Sequence, residues 1–258
     1  MKFGLIGHPI EHSLSPALFK AGYNGLYPYD LIITEDFEEA YRRFMDGYDG
    51  INVTAPFKEL ALRKADIISE ECRLVGAANI LIKSPQGITA YNSDFRGLVA
   101  MFRGLKGDSP LSAHEKTVLI VGAGGAGKAA KAASEALGYE TTVINRTQYN
   151  PEIKPLSAFR EEFSKADIVI YNLPVRIPEI DMLTEADLCP GKEKIVLEAN
   201  YRSPSFDNGA IQRMVSMNPL IRYIDGREWL LQQAVTGYEL FTGETPDCEA
   251  MKAAIKSK

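Results

Sequence analysis

Residues 118–133, VLIVGAGGAGKAAKAA, constrain this chain more than any other stretch. Gly122, Gly124 and Gly127 fit G-x-G-x-x-G, with Ala123, Gly125 and Ala126 between them. An apolar run that reads as a strand precedes the pattern, and an Ala-rich run that reads as a helix follows it. Glycine permits the tight turn, lets backbone N–H groups approach a pyrophosphate, and packs the helix against the strand. The same residues nearly form a phosphate-hydrolysing P-loop, G-x-x-x-x-G-K. Ala129 stands where that loop needs a hydroxyl for Mg²⁺, so the dinucleotide reading is preferred. The next strand ends in Asn145, Arg146 and Thr147. An acid there grips the ribose hydroxyls of NAD, whereas an Arg can pair with the 2′-phosphate of NADP. The expected cofactor is therefore NADP(H).

Around this unit the chain alternates strand and helix. In the first hundred residues KFGLIG, YDLIIT and GINVT read as strands. SPALFKAGYNGL, DFEEAYRRFMD and PFKELALRKAD read as helices, the last opened by its proline. ANILIK and GITAYN flank the turn SPQG and read as a hairpin, followed by an amphipathic helix, DFRGLVAMFRGL. The polar stretch at 106–116, KGDSPLSAHEK, is the best linker candidate. A second alternation runs from TVLIVG to LIRYID, with apolar strand runs suited to a parallel sheet covered on both faces. From Arg227 the chain reads as two helices separated by GETPD.

With 258 residues and 45% apolar content, the chain can fill two modest α/β cores. A net charge of −5 with scattered basic residues disfavours nucleic-acid or membrane-surface binding. The first residues lack a secretory signal, and no apolar run approaches the roughly 20 residues of a membrane span. Cys72, Cys189 and Cys248 are far apart, as reduced thiols of a cytoplasmic protein would be. His8, His12 and His114 form no metal-ligand cluster, and no metal is expected.

Chemistry-bearing side chains gather in the first hundred residues. Ser13 and Ser15 precede the first helix; Ser15 reads as its N-cap, with Pro16 in the first turn. Thr54 ends a strand, and Lys58 sits near a helix N-terminus, which the helix dipole does not favour for a cation. Asp94 opens a helix, as an N-cap would. Together Lys58 and Asp94 could form a Lys–Asp pair beside a carbonyl that is being reduced.

These blocks, in order, resemble the shikimate dehydrogenase family. The resemblance rests on Gly7, Pro9 and HSLSP (12–16), NVTAPFK (52–58), GAANI (76–80), and NSD with Gly97 (92–97). It continues through GAGGAG (122–127), NRT (145–147), Tyr201, Gly226 and LLQQA (230–234). The resemblance implies two α/β domains flanking a cleft, the C-terminal one a Rossmann-type dinucleotide-binding domain at 106–229. The substrate domain would comprise 1–105 and 230–258. The implied reaction is the reversible reduction of 3-dehydroshikimate to shikimate by NADPH, in aromatic amino acid biosynthesis, by a cytoplasmic monomer or homodimer. By position, Lys58 and Asp94 would be catalytic, and Ser13 and Ser15 would hold the substrate carboxylate. Thr54, Asn79 and Gln233, with Lys58 and Asp94, would surround the ring oxygens. Tyr201 and Gly226 would lie close to the substrate or nicotinamide. Four departures stand out: Glu198 for a frequent Asp, Ser93 for Thr, NLPVR at 172–176, and QYN after NRT. A relative acting on quinate, or a cofactor-binding regulator without turnover, are the rival readings.

Overall fold

The structure, a computed structural model, describes residues 1–105 and 116–256. The expected linker, apart from Lys116, and His114 lie outside the described residues. The chain divides into two compact units, residues 1–100 with 231–258 and residues 101–230.

The first unit holds β1 (Phe3–Gly7), α1 (Ser15–Gly22), β2 (Tyr29–Ile33), α2 (Phe37–Gly47), β3 (Gly50–Val53) and α3 (Lys58–Arg63). It continues with β4 (Ile67–Ile68), α4 (Glu70–Val75), β5 (Ile80–Ser84), β6 (Gly87–Tyr91) and the start of α5 (Ser93–Leu105). The sheet order is β2-β1-β3-β5-β6-β4. β1 runs parallel to β2 and β3, and the expected hairpin, β5 with β6, adds antiparallel strands. Helix α2 shows why such segments fold as they do. Asp36 caps it by accepting from the N–H groups of Glu38 and Glu39, and Phe37, Ala40 and Phe44 bury one stripe. That stripe packs on Ile6, Ile32, Ile51, Val53 and Leu81 of the sheet.

Elsewhere in the unit Phe3 stacks on Phe241 at 4.8 Å between centroids, and Phe19 meets Tyr238 at 4.8 Å. These aromatic contacts bring the C-terminal part of the chain back to the first strand and helix. Proline does not open α3: the helix starts at Lys58 with Phe57 as N-cap, and Pro56 lies in the preceding turn.

The second unit holds β7 (Thr117–Val121), α6 (Gly125–Ala136), β8 (Glu140–Asn145), β9 (Ile153–Pro155), α7 (Phe159–Lys165) and β10 (Ile168–Tyr171). Then follow α8 (Glu185–Leu188), β11 (Lys194–Glu198), α9 (Asn208–Met217), β12 (Ile221–Ile224) and the start of α10 (Gly226–Thr242). Helix α11 (Cys248–Lys256) belongs to the first unit. All neighbours in the sheet β12-β11-β10-β7-β8-β9 are parallel. The strand order reverses between β7 and β10, and ligands of such sheets bind outside the carboxyl ends of the strands at that point. Leu119, Val121, Phe159, Phe163, Val169, Tyr171 and Val196 fill one core. On α6 the small Ala129, Ala130, Ala132 and Ala133 are buried.

Candidate active site

Two groups of side chains stand out, one in each unit. In the first unit, Lys58 Nζ donates to Asp94 Oδ2 at 2.5 Å, with both side chains mostly shielded from solvent. Asp94 is not the N-cap expected of it. Asn92 holds that place: its Oδ1 accepts from the Phe95 N–H at 3.1 Å, and its C=O accepts from the Arg96 N–H. The cap lies two residues earlier because Asn92 offers both an acceptor for α5 and an amide that donates to Ala77 O. Asp94 is thereby left in the first turn with its carboxylate turned to Lys58, where it also meets the positive end of the helix dipole.

Beside the pair, Asn79 Oδ1 accepts from the Ser93 N–H at 2.7 Å and Asn79 Nδ2 donates to Ser93 Oγ at 3.1 Å. Ser93 Oγ donates on to Gln233 Oε1 at 3.1 Å. Asn79 and Gln233 are therefore linked through Ser93, which the sequence reading noted only as a replacement for Thr. Thr54 follows β3, and its N–H donates to Ile6 O at 2.9 Å. It sits against Gly7, where an added Cβ would collide with Thr54 Cγ2.

The two serines form a pair of their own. Ser13 Oγ donates to Ser15 Oγ at 3.2 Å, and the Ser15 N–H donates to Ser13 Oγ at 3.2 Å. Ser15 is the first helical residue rather than the cap: Leu14 is the N-cap, its carbonyl accepting from the Leu18 N–H. Ser13, two residues upstream, supplies the acceptor instead, so the capping expectation fell on the wrong serine. The Ser15 carbonyl accepts from the Tyr238 hydroxyl at 3.1 Å. Tyr29, whose hydroxyl donates to Asn52 Oδ1 at 2.7 Å, lies beside Ser15 and Tyr238. Burial pushes the Tyr29 phenol well above its ordinary value. Sequence alone did not single out Tyr29, Asn52 or Tyr238, because isolated polar residues on apolar elements carry no spacing signal.

In the second unit the glycine loop joins β7 to α6. Gly122 has φ +99, a conformation open to glycine, and an added Cβ on Gly127 would strike the Gly122 carbonyl oxygen. Gly124 is the N-cap of α6 with no side-chain bond, and the first turn holds no acidic residue. The first N–H groups of this 12-residue helix have no partner within the helix, and the positive end of its dipole lies at the loop. Such a cradle fits a pyrophosphate. Asn145 ties the loop to the end of β8, accepting from the Ala123 N–H at 3.3 Å and donating to Thr147 O at 2.9 Å. Arg146 and Thr147 follow, both exposed. Tyr149, within the departing QYN, donates to Ala123 O at 3.0 Å and so also touches the loop. Tyr201 lies half-buried after β11, where burial pushes its phenol up. Gly226 begins α10.

Among the described residues no helix is long and apolar enough to cross a membrane. Residues 5–81 match the model of the shikimate dehydrogenase substrate binding domain. Residues 88–220 match that of the D-isomer specific 2-hydroxyacid dehydrogenase NAD binding domain. Shikimate dehydrogenase (NADP(+)) of Haemophilus ducreyi is 30% identical, over 100% of this chain and 97% of that protein. The solved shikimate 5-dehydrogenase of Thermus thermophilus, in complex with NADP(H) and shikimate, superposes with a TM-score of 0.81 at 25% identity. That match covers 100% of this chain and 99% of the other. Quinate dehydrogenase of Corynebacterium glutamicum, in complex with NAD, also gives 0.81, at 24% identity and over 100% and 99% of the two chains. At that identity the likeness speaks to the fold alone.

Proposed function

The chain belongs to the shikimate dehydrogenase family, and from that membership we propose that it catalyses the reversible, NADPH-dependent reduction of 3-dehydroshikimate to shikimate. The observation that carries the reading is the Lys58–Asp94 pair, 2.5 Å apart and shielded from solvent. Reduction of a ketone builds negative charge on its oxygen. A positioned ammonium stabilises that charge and delivers the proton. Lys58 Nζ is the donor in this reading, and Asp94 holds it in place through the hydrogen bond between them. In the oxidation direction Lys58 takes the alcohol proton back.

Ser13 and Ser15 supply hydroxyl donors for the substrate carboxylate. Thr54, Asn79 and Gln233 supply the mixed donors and acceptors that ring hydroxyls need, and the Asn79–Ser93–Gln233 chain fixes two of them in orientation. Bound NADPH supplies the hydride. Gly122 to Gly127 hold its pyrophosphate through the N-terminal N–H groups of α6, and Asn145, Arg146 and Thr147 bind its adenosine end. Arg146 favours the 2′-phosphate of NADP over NAD. Tyr201 and Gly226 lie close to the substrate or nicotinamide. The three dispersed cysteines support work in the reducing cytoplasm.

The test is steady-state oxidation of shikimate and of quinate, each with NADP⁺ and with NAD⁺. The reading expects shikimate with NADP⁺ to give the highest kcat/KM. Preference for quinate would favour the related dehydrogenase, and no turnover in any of the four combinations would favour a cofactor-binding regulator.

A further inference from the structure

Glu198 is a buried carboxylate for which neither substrate nor cofactor binding accounts. It ends β11 and is wholly buried. Its Oε2 accepts from the Tyr223 hydroxyl at 2.9 Å and from the Phe206 N–H at 3.2 Å, and its Oε1 accepts from the Ser205 N–H. A carboxylate removed from water is tolerated only when its oxygens are satisfied in this way. Burial and the Glu198 charge together push the Tyr223 phenol well above its ordinary value.

These bonds close the base of a loop. Ser205 is held on its other side as well, because its carbonyl accepts from Arg176, which also pairs with Asp181 at 2.6 Å and Asp207 at 3.2 Å. At the outgoing end the Ala199 N–H donates to Tyr171 O at 2.8 Å. Inside the loop Asn200 Oδ1 accepts from the N–H groups of Arg202 and Ser203, at 3.3 and 3.2 Å. Tyr201 rides on this closed loop. The same strand end presses on α10: an added Cβ on Gly226 would lie 2.6 Å from Ala199 O and 2.7 Å from Glu198 O.

We propose that Glu198 is a positioning residue for hydride transfer, its carboxylate fixing both Tyr201 and the Gly226 turn against the nicotinamide. This rests on the dehydrogenase reading, in which those two residues lie close to the substrate or that ring. The chemistry calls for a carboxylate rather than an amide. All three partners are donors, and a Gln would turn its NH₂ toward one of them.

Glu198→Gln and the milder Tyr223→Phe, compared with the unchanged chain, test the proposal in two ways. Without cofactor, the rate of trypsin cleavage after the exposed Arg202 is followed. The rate there should rise roughly tenfold in Glu198→Gln and severalfold in Tyr223→Phe, as expected for losing bonds to a charged group. With shikimate and NADP⁺, kcat per folded molecule should fall about tenfold or more in Glu198→Gln and severalfold in Tyr223→Phe, with shikimate KM within about twofold. A merely structural role would lower the folded fraction in urea and leave kcat per folded molecule unchanged. Should Glu198→Gln not fold, Tyr223→Phe decides alone. Unchanged kcat in the folded variants overturns the positioning role, even if cleavage quickens. An unchanged chain that fails to oxidise shikimate overturns the dehydrogenase reading and, with it, the positioning role.

Discussion

Gly127 faces the carbonyl oxygen of Gly122 so closely that no side chain fits between them. The obstacle is backbone, which cannot swing aside as a side-chain tip can. Gly127→Ala must therefore push α6 away from the loop. Overpacking of this kind costs about 1–3 kcal/mol, and it moves the N–H groups that would hold the pyrophosphate. The variant should melt earlier and bind NADPH at least about tenfold more weakly, as read by cofactor fluorescence. Affinity equal to that of the unchanged chain would detach the glycine loop from cofactor binding.

Arg146 should separate the two cofactors. Its side chain lies exposed just after β8. A charge-assisted pair with a 2′-phosphate is worth roughly 1.5–3 kcal/mol, and exposure moves the expectation to the lower end. Arg146→Ala should weaken NADP⁺ about tenfold while leaving NAD⁺ within about twofold. Equal losses for both would mean that Arg146 does not read the phosphate.

The serines make different contributions to stability, in the reverse of the order that their sequence positions imply. Ser13→Ala removes the acceptor of the Ser15 N–H and should cost about 0.5–1.5 kcal/mol in urea unfolding. Ser15→Ala removes no cap and should cost less. Both should raise the KM for shikimate. A KM unchanged in both variants would confine the pair to a structural role.

Lys194 gives the fold a pH dependence of known sign. It is buried, with Nζ donating to Phe163 O at 2.7 Å and to Ala166 O. Burial pulls its ammonium from 10.5 to about 8; Cys189 and Asp167 oppose the shift and Lys192 adds to it. Between those values the unfolded chain binds more protons than the folded one, so this group's contribution to stability rises with pH across that window. Below about 8 its unfavourable contribution is complete. Urea unfolding at several pH values should show the chain gaining stability relative to Lys194→Met from about pH 8 upward, by at most about 3 kcal/mol. A flat difference would contradict the assignment.

Strong local periodicity made much of the second unit readable. The runs TVLIVG and ETTVINR became β7 and β8, and the glycine pattern took the strand–turn–helix setting it requires. Short elements escaped because they lack a period: β4 has two residues, and β9 has three and ends at Pro155. Helix α4, within IISEECRLVG, spans too few residues for an apolar stripe to declare itself. Caps were misplaced by one or two positions at both Ser15 and Asp94, since Ser13 and Asn92 offered competing acceptors that only the backbone path could rank. The environment of Glu198 was not legible at all. Two of its three donors are backbone amides, and a backbone amide leaves no mark in a sequence.

The most direct test of the central claim is the turnover of Lys58→Met. Methionine keeps the aliphatic stem and removes the ammonium that faces Asp94. Charge gathers on the ketone oxygen chiefly in the transition state, so the loss should appear in kcat rather than in binding. We predict a fall of roughly 10²–10⁴ in kcat, the usual range for a positioned acid or base, with a much smaller change in shikimate Kd. A Lys58→Met enzyme that turns over shikimate at nearly the unchanged rate would leave the proposed mechanism without its acid and contradict the account.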